Sequence, residues 1–389
     1  MRRSVASMLS THQQLGTPLS VGIVGGGLGG LACAAQLVRL ADRGAHHIEV
    51  YDQCQPGMGG ASAVAAGLCH PFTPRGTLIH KGLEGFDATL GLLTLVDEKC
   101  PDLADSVWER QAIVRPCFGS TDLRLWAAAA IAFPEWLAME SAEEYKERVG
   151  SQNTDESLRG AAVMRSTLRI NMPVYLKGLW RAVQSIGEEA AVTVKWTPKT
   201  VRDSADVDSI SSNHDIVIVC SGVGVVNHWT SWDNQEGPPL KFVRGQNLIF
   251  DSDSGLRLSE SLLCGEYIVP CGLGDGRKSY ILAGATHEYE SLDVLLARGE
   301  KPDKEVALSL LREKLCRIHP ALAARTPIDC NAGVRVVAKR THEGKLPLIA
   351  SSNDNRRWLL TGFGSRGVIH HALYAKTLVD AISKKFTGV

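Results

Sequence analysis

Three glycines near the N-terminus, Gly25, Gly27 and Gly30, have the G-x-G-x-x-G spacing that binds the pyrophosphate of a dinucleotide. The first permits a tight turn from a strand into a helix. The second lets the pyrophosphate approach backbone N–H groups at the helix N-terminus, and the third lets helix and strand pack closely. Asp52 follows about twenty residues later, where a carboxylate can accept hydrogen bonds from a ribose. These residues predict a dinucleotide site.

The elements around the glycines have the order of a βαβ unit. A β-branched run precedes Gly25, an apolar segment with helical spacing follows Gly30, and a short strand at residues 47–51 ends on Asp52. This order makes the motif much more specific than the glycines alone. The alternative is a glycine turn in a parallel sheet that binds no ligand.

Two later segments repeat the pattern of an apolar strand followed by a glycine turn. Residues 215–220 predict a central parallel strand that ends at Ser221 and Gly222, and residues 357–361 predict a strand that enters the turn 362–367. Ligands of open α/β sheets bind at the carboxyl ends of such strands. The three turns therefore predict one nucleotide-binding sheet assembled from distant parts of the chain.

The length of 389 residues exceeds one typical core, so we expect two domains in an α/β protein. The predicted ranges are a discontinuous Rossmann-like domain at 20–76, 176–235 and 331–389, an inserted α+β substrate domain at 77–175 and 236–330, and a flexible or targeting tail at 1–19. Three local predictions are a loop at residues 202–213, one or two strands at 112–125, and a buried or partner-facing helix at 125–139.

Composition gives no general signal for several classes of partner, but it does not exclude local basic patches. Lys plus Arg and Asp plus Glu number 42 each, so there is no general electrostatic signal for nucleic acid or an anionic membrane. The ten cysteines include no C-x-x-C pair, which predicts free thiols and no metal site. We expect an intracellular protein, cytoplasmic by default. The basic, acid-free N-terminus, with Arg2 and Arg3, leaves a chloroplast or mitochondrial transit peptide as an alternative.

Several ordered motifs carry a resemblance to a known family. They are GGGLGG with Asp52, GGAS at 59–62, DIVIVCSGVG at 215–224, VRGQ at 243–246, YIVP at 267–270, GAT at 284–286, GVR at 333–335, LPLIA at 346–350 and TGFGSRG at 361–367. From residue 21 to the C-terminus the chain resembles the flavin-dependent D-amino-acid oxidase superfamily, especially its glycine oxidase and sarcosine oxidase branches. The GVR and GFGSRG segments also resemble the flavin oxidase domain of the bifunctional tRNA wobble-uridine modification enzyme.

The resemblance implies that the Rossmann-like domain binds FAD. A nicotinamide enzyme needs a single fingerprint, whereas a tightly held flavin benefits from all three glycine turns. No reliable match to the cysteine that carries covalent flavin in sarcosine oxidases is present, so non-covalent FAD is favoured. The residues that the resemblance places at FAD are Gly25, Gly27, Leu28, Gly29, Gly30, Asp52, Ala61, Ser62, Val201, Ser221, Gly222, Gly362, Gly364, Ser365, Arg366 and Gly367.

Within this set the resemblance gives different roles to different segments. Asp52 would bind the adenosine ribose, Ala61 and Ser62 the pyrophosphate and ribityl chain, and Val201 would lie near the adenine. Residues 362–367 would lie at the flavin pyrimidine ring, where backbone N–H groups and a helix N-terminus stabilise negative charge. For Arg366 a surface salt bridge is the alternative.

The family pattern also suggests catalytic-site residues. Arg335 matches the arginine of the Gly-x-Arg strand, which clamps a substrate carboxylate, and its alternative role is a structural ion pair. Tyr267 would contact the substrate or its carboxylate, or else be a packed aromatic residue. His70 would shape the pocket or help to deprotonate the amine, or else be a hydrogen-bonded loop histidine.

The resemblance implies an FAD-dependent enzyme that oxidises the C–N bond of a small amino acid or secondary amine. A hydride would pass to flavin N5, with O2 or another electron acceptor completing the reaction. One alternative is a tRNA-modifying flavoprotein that acts on a carboxymethylaminomethyl uridine. Others are a flavin-binding protein without turnover and, least favoured, an NAD dehydrogenase.

Overall fold

The computed structural model describes residues 19–40, 45–151, 153–228, 239–252, 258–272, 279–299, 301–322 and 324–387. The helices are α1 (Leu28–Val38), α2 (Gly60–Ala63), α3 (Gly82–Lys99), α4 (Ala104–Val107), α5 (Ser120–Ala132), α6 (Ala142–Val149), α7 (Met172–Ala190), α8 (Ser204–Ser211), α9 (Val225–His228), α10 (Leu292–Arg298), α11 (Lys304–Ile318) and α12 (Gly367–Thr387). The predicted tail at 1–19 lies outside the described residues except for its last position.

Most strands belong to two sheets. They are β1 (Leu19–Val24), β2 (Ala45–Asp52), β3 (Leu68–Cys69), β4 (Trp108–Arg110), β5 (Ile113–Phe118), β6 (Leu137–Glu140), β7 (Leu158–Met164), β8 (Leu168–Ile170), β9 (Thr193–Pro198), β10 (Ile216–Val219), β11 (Leu240–Asp251), β12 (Ser261–Cys264), β13 (Glu266–Cys271), β14 (Tyr280–Gly284), β15 (Asp329–Ala338), β16 (Leu348–Ser351) and β17 (Arg357–Thr361). The short strands β3, β8 and β4 form a small third sheet.

The first sheet contains the predicted βαβ unit. Its order is β16-β17-β10-β1-β2-β9, and its strands are parallel except for β16, which pairs antiparallel with β17. Every residue of β10 is buried, which explains the uninterrupted apolar run in its sequence. Because the strands are parallel, the turns after β1, β10 and β17 open at the same edge of the sheet.

Four helices, α1, α3, α7 and α12, pack against one another over one face of this sheet and form its main core. In α7 the buried side chains recur at helical spacing, including Tyr175, Leu176, Leu179 and Val183. Each fully buried leucine of this kind contributes about 1.5–3 kcal/mol to folding. The opposite face is covered in part by α8, whose Val207 and Ile210 are buried against β10 and β1.

The second sheet has eight strands in the order β15-β11-β14-β13-β12-β5-β7-β6, antiparallel except for the parallel pair β12 and β5. Helix α11 packs on it through Ala307, Leu311 and Leu315. The Asp303 side chain caps α11 by accepting a hydrogen bond from Val306 N at 3.1 Å. The chain therefore has the predicted fold class, α/β with a Rossmann-like sheet and an additional α+β part.

Strand β15 lies where the two sheets meet. It pairs along its length with β11, with Arg335 opposite Val243, and Val337 forms an isolated bridge with Phe363 after β17. A Cβ on Gly333 would lie 2.8 Å from Ala61 Cα, so glycine is required for the close approach of β15 to α2. This contact brings a strand of the second sheet to the ligand edge of the first.

The strand pairing bears on the predicted domain limits. The range 331–389 was expected in the nucleotide-binding domain, but most of β15 lies inside that range and belongs to the second sheet. Helix α7 begins at Met172, four residues before the predicted limit at 176. The division into domains stays a prediction.

Two local predictions were wrong, and that for residues 112–125 was correct only in part. Residues 202–213 contain α8 rather than only a loop, because the Asp203 side chain caps the helix by accepting from Asp206 N at 3.0 Å. Residues 112–125 contain β5, but α5 begins already at Ser120. Residues 125–139 are not one helix, because α5 stops at Ala132 before Pro134 and β6 follows.

Among the described helices, none combines the length and apolar character needed to cross a membrane.

Candidate active site

A cavity of about 870 Å³ runs from the glycine turn after β1 to β13 and β15 of the second sheet. Its volume lies near the upper end of the roughly 300–1,000 Å³ typical of small-molecule sites. All but one of the predicted site residues line it, and the exception is Gly30. The three glycine turns and the predicted catalytic residues therefore share one continuous space.

The first glycine turn has the geometry that dinucleotide binding requires. Gly25 has a φ of +100° and donates its N–H to Tyr51 O at 2.8 Å, which ties the turn to the end of β2. A Cβ on Gly30 would lie 1.8 Å from the Gly25 carbonyl oxygen, so Gly30 permits helix packing rather than ligand contact. The remaining residues of the motif, Gly27, Leu28 and Gly29, line the cavity.

Asp52 is held rigidly at the edge of this turn. Its Oδ2 accepts a hydrogen bond from Gly26 N at 2.7 Å, and its Oδ1 accepts one from Cys54 N at 2.8 Å. An ionised carboxylate has about four acceptor positions, so lone pairs remain for ribose hydroxyls. Ser62 Oγ accepts from Leu28 N at 3.2 Å and thus lies at the N-terminus of α1, where a pyrophosphate would bind. These residues fit the nucleotide half of FAD.

His228 connects two predicted cofactor residues and was not predicted from the sequence. Its Nε2 lies 2.9 Å from Val201 O, and its Nδ1 lies 2.8 Å from Ser221 Oγ. Burial lowers the pKa of His228, which favours a neutral ring that donates from Nε2 and accepts at Nδ1. No spacing in the sequence distinguishes this histidine from other helix residues.

The third glycine turn borders the middle of the cavity. Gly362 and Gly364 have φ values of +79° and +56°, and α12 begins directly after the turn. Arg366 is half-buried there. The desolvation of its guanidinium lowers its pKa, and nearby Arg340 lowers it further. The described part of the chain offers Arg366 no carboxylate partner, so the alternative of a surface salt bridge lacks support.

Arg335 is a cation in the cavity wall. Its Nη2 donates to Thr286 O at 3.0 Å, and its side chain has no carboxylate within ion-pair distance among the described residues. Burial lowers the pKa of Arg335, opposed by Tyr267 and Tyr289, but a guanidinium stays protonated in proteins. A structural ion pair, the alternative role, is therefore not observed. The arrangement suits an anionic ligand.

Tyr267 lines the same part of the cavity. Its hydroxyl donates to Asn247 Oδ1 at 2.5 Å, and Asn247 Nδ2 donates to Asn331 Oδ1 and to Val64 O, both at 2.8 Å. Burial raises the pKa of Tyr267, so the phenol is neutral and its oxygen can still accept a hydrogen bond. Asn247 was missed, although it directly follows the VRGQ motif.

A buried polar network supports the carbonyl that binds Arg335. Arg244 Nη1 forms an ion pair of 2.7 Å with Glu288 Oε2, and Gln246 Nε2 donates to Glu288 Oε1 at 3.0 Å. Thr286 Oγ1 donates to the same carboxylate at 2.6 Å and accepts from Gln246 N at 2.8 Å. Because these groups are buried and hydrogen-bonded, they hold Thr286 in place.

His70 lines the cavity near Arg366. Its Nδ1 accepts a long hydrogen bond of 3.4 Å from Phe72 N. Burial lowers the pKa of His70 to about 4, with a further contribution from Arg366, so the imidazole is neutral at pH 7. A neutral ring can accept a proton, but its role in the reaction stays a prediction.

A third arginine in the cavity wall, Arg115, belongs to none of the motifs found in the sequence. Arg115 Nη1 forms an ion pair of 2.7 Å with Asp122, and its guanidinium carbon lies 5.0 Å from the ring centre of Trp126. Its charge is thus already compensated. Unlike Arg335, it is predominantly a structural cation at the edge of the cavity.

Comparison with known proteins agrees with this geometry. Residues 20–381 match the family model DAO, described as FAD dependent oxidoreductase. No curated protein sequence matches the chain significantly. The fold is similar to glycine oxidase from Geobacillus kaustophilus, with a TM-score of 0.70, 17% identity and 95% of each chain covered.

Two further solved structures share the fold. Iminodiacetate oxidase from Chelativorans sp. BNC1 has a TM-score of 0.68 and 18% identity over 93% of this chain and 95% of its own. L-proline dehydrogenase from P. horikoshii has a TM-score of 0.67 and 12% identity over 96% of this chain and 95% of its own. At these identities the likeness establishes the fold. With the family match over residues 20–381, the chain belongs to the DAO family of FAD-dependent oxidoreductases and is an enzyme that uses FAD.

Proposed function

We propose that this enzyme oxidises the C–N bond of a small amino acid or secondary amine that carries a carboxylate. The observation that carries the proposal is Arg335, a half-buried cation in the cavity wall with no carboxylate partner in the described chain. Leaving such a charge without an anion is costly, so the site is completed by an anionic ligand. The solved structures of similar fold include oxidases of glycine and iminodiacetate, which are carboxylates.

Arg335 would bind the substrate carboxylate through the N–H groups that Thr286 leaves free. Tyr267, whose hydroxyl proton is donated to Asn247, would accept a hydrogen bond from the substrate amine. These contacts orient the α-carbon, and orientation of reactants alone accounts for a large part of enzymatic rate enhancement. FAD, held by the residues of the three glycine turns, would supply the two-electron oxidation of the C–N bond, and O2 or another acceptor would complete the reaction.

The resemblance suggests two roles for His70, which lines the cavity: shaping the pocket or helping to deprotonate the substrate amine. Because its pKa is lowered to about 4, it is neutral at pH 7 and does not add positive charge beside Arg366. A neutral imidazole is a weak base at this pKa, so we expect it to shape the pocket more than to deprotonate a substrate ammonium.

We also propose that FAD is bound non-covalently. The cysteines that line the cavity among the described residues are Cys54 and Cys220. Cys54 lies near Asp52, and Cys220 precedes Ser221 at the second glycine turn. Neither is on β13 or β15 beside Tyr267 and Arg335, where the reactive ring of the flavin would lie. Acid precipitation of the protein should leave the flavin in the supernatant, and a yellow pellet would contradict this.

The function is tested by an anaerobic screen of the flavin-loaded protein. Glycine, sarcosine, proline, iminodiacetate and D-amino acids are added in turn, and reduction is followed by bleaching of the flavin absorbance. We expect at least one carboxylate amine to bleach the flavin and its amide to do so more slowly. Bleaching only by amines without a carboxylate would refute the substrate class, and no bleaching by any amine would favour a flavin-binding protein without turnover.

A further inference from the structure

A group of three metal-ligating side chains lies on the first sheet, outside the cavity lining. His47 and Glu49 are two residues apart on β2, so their side chains lie on the same face, and His214 comes just before β10. Glu49 is three residues before Asp52, about 10 Å along the strand. None of the three residues lines the cavity.

The three ligand atoms converge. His47 Nε2 lies 3.3 Å from Glu49 Oε2, His214 Nε2 lies 3.9 Å from the same oxygen, and one ligand atom of each residue fits within 4.8 Å of the others. A tetrahedral zinc ion with ligand distances of about 2.0–2.2 Å separates its ligands by roughly 3.3–3.6 Å. Small side-chain movements would therefore bring the group to zinc geometry. We propose that His47, Glu49 and His214 bind one divalent transition-metal ion, for which Zn²⁺ is the probe.

The surroundings prepare each ligand for a metal. Ser20 Oγ lies 2.7 Å from His214 Nδ1, and when Nδ1 donates to it the lone pair of Nε2 faces the cluster. Lys195 Nζ donates to Glu49 Oε1 at 2.8 Å and Thr197 also binds Oε1, so both leave Oε2 to the metal. Tyr51 OH, 2.9 Å from His214 Nε2, would have to turn toward the fourth coordination position.

The chemistry of the group suits zinc, since two imidazoles and one carboxylate with an open position are a known zinc ligand set. His214 and Glu49 are buried, while about a third of the His47 side chain is exposed, which gives an ion a path from solvent. His214 is distant in sequence from His47 and Glu49, so the spacing of residues along the chain did not predict this group. A site here would tie β2 to the segment before β10.

The test measures zinc binding to the flavin-loaded, full-length protein after chelator treatment, by equilibrium dialysis and metal analysis. The variants are His47→Ala and Glu49→Gln, with His46→Ala as the matched control because His46 is the exposed neighbour on the opposite face of β2. We expect one zinc per chain in the wild type and in the control. Both test variants should bind at least tenfold more weakly with unchanged flavin content. Ser20→Ala should also weaken binding about tenfold or more, because it removes the group that orients His214.

Two results would overturn the proposal. One is a wild-type protein that retains no zinc, which would leave the cluster as ordinary hydrogen-bonded side chains. The other is equal zinc binding by His47→Ala and His46→Ala, which would place the zinc elsewhere in the protein. His214 is not varied, since its burial would confound binding with folding.

Discussion

Replacement of Arg335 by alanine should remove the carboxylate preference of the site. Thr286 O occupies one N–H of Nη2 at 3.0 Å, so the other N–H groups can form a bidentate contact with a carboxylate. Two charge-assisted hydrogen bonds contribute about 1.5–3 kcal/mol each, and at about 1.4 kcal/mol per factor of ten their loss predicts roughly 10²- to 10⁴-fold weaker carboxylate binding. The carboxylate affinity of Arg335→Lys should lie between those of the wild type and Arg335→Ala, because an ammonium keeps the charge but not the planar fork.

The assay uses acetate, a carboxylate with no C–N bond, and measures its dissociation constant from the change in flavin absorbance. Arg110→Ala is the control, since Arg110 is an exposed arginine on β4. For a substrate that the enzyme oxidises, kcat/KM of Arg335→Ala should fall for the carboxylic acid and change little for its amide. The reasoning is refuted if flavin-loaded Arg335→Ala binds acetate as tightly as the wild type.

Three further predictions concern stability. Gly30→Ala places a Cβ against backbone and should lower the free energy of unfolding by more than about 3 kcal/mol with loss of flavin; Gly91→Ala, in an open part of α3, should instead raise it by about 0.5–1 kcal/mol. Glu288→Gln leaves buried Arg244 without its carboxylate and should cost about 3–5 kcal/mol in urea denaturation at pH 7. The lowered pKa of His70 means that the unfolded chain binds the proton first, so stability falls between pH 6.5 and about 4; His70→Gln should make this fall shallower.

Each of these has a contradicting outcome. Equal stability of the Gly30→Ala and Gly91→Ala proteins would show that the close contact with the Gly25 carbonyl relaxes without cost. An unchanged urea midpoint in Glu288→Gln would mean that Arg244 finds another partner. An identical pH profile for His70→Gln would place the titration on another buried histidine, such as His371.

The parts of the site that lie within one local element were predictable. Gly25, Gly27 and Asp52 belong to a single βαβ unit, whose glycines are required by backbone geometry that any such unit shares. The continuous apolar run of β10 predicted a buried parallel strand, because a strand that is covered on both faces needs apolar residues at every position. Errors arose where polar residues form a capped helix, as at Asp203 before α8, because loops and exposed helices have similar composition.

The contacts between distant segments were decided only by the tertiary structure. The order of residues along the chain was enough to predict the dinucleotide turn and, through the resemblance, to name Arg335 and Tyr267. It did not show that Arg335 lacks a carboxylate partner in the described chain, because an ion pair depends on side chains from other strands. The same holds for Asn247, which orients Tyr267 from the neighbouring part of the second sheet. Local spacing encodes backbone geometry, whereas burial, charge compensation and the shape of the cavity exist only once the two sheets meet at β15.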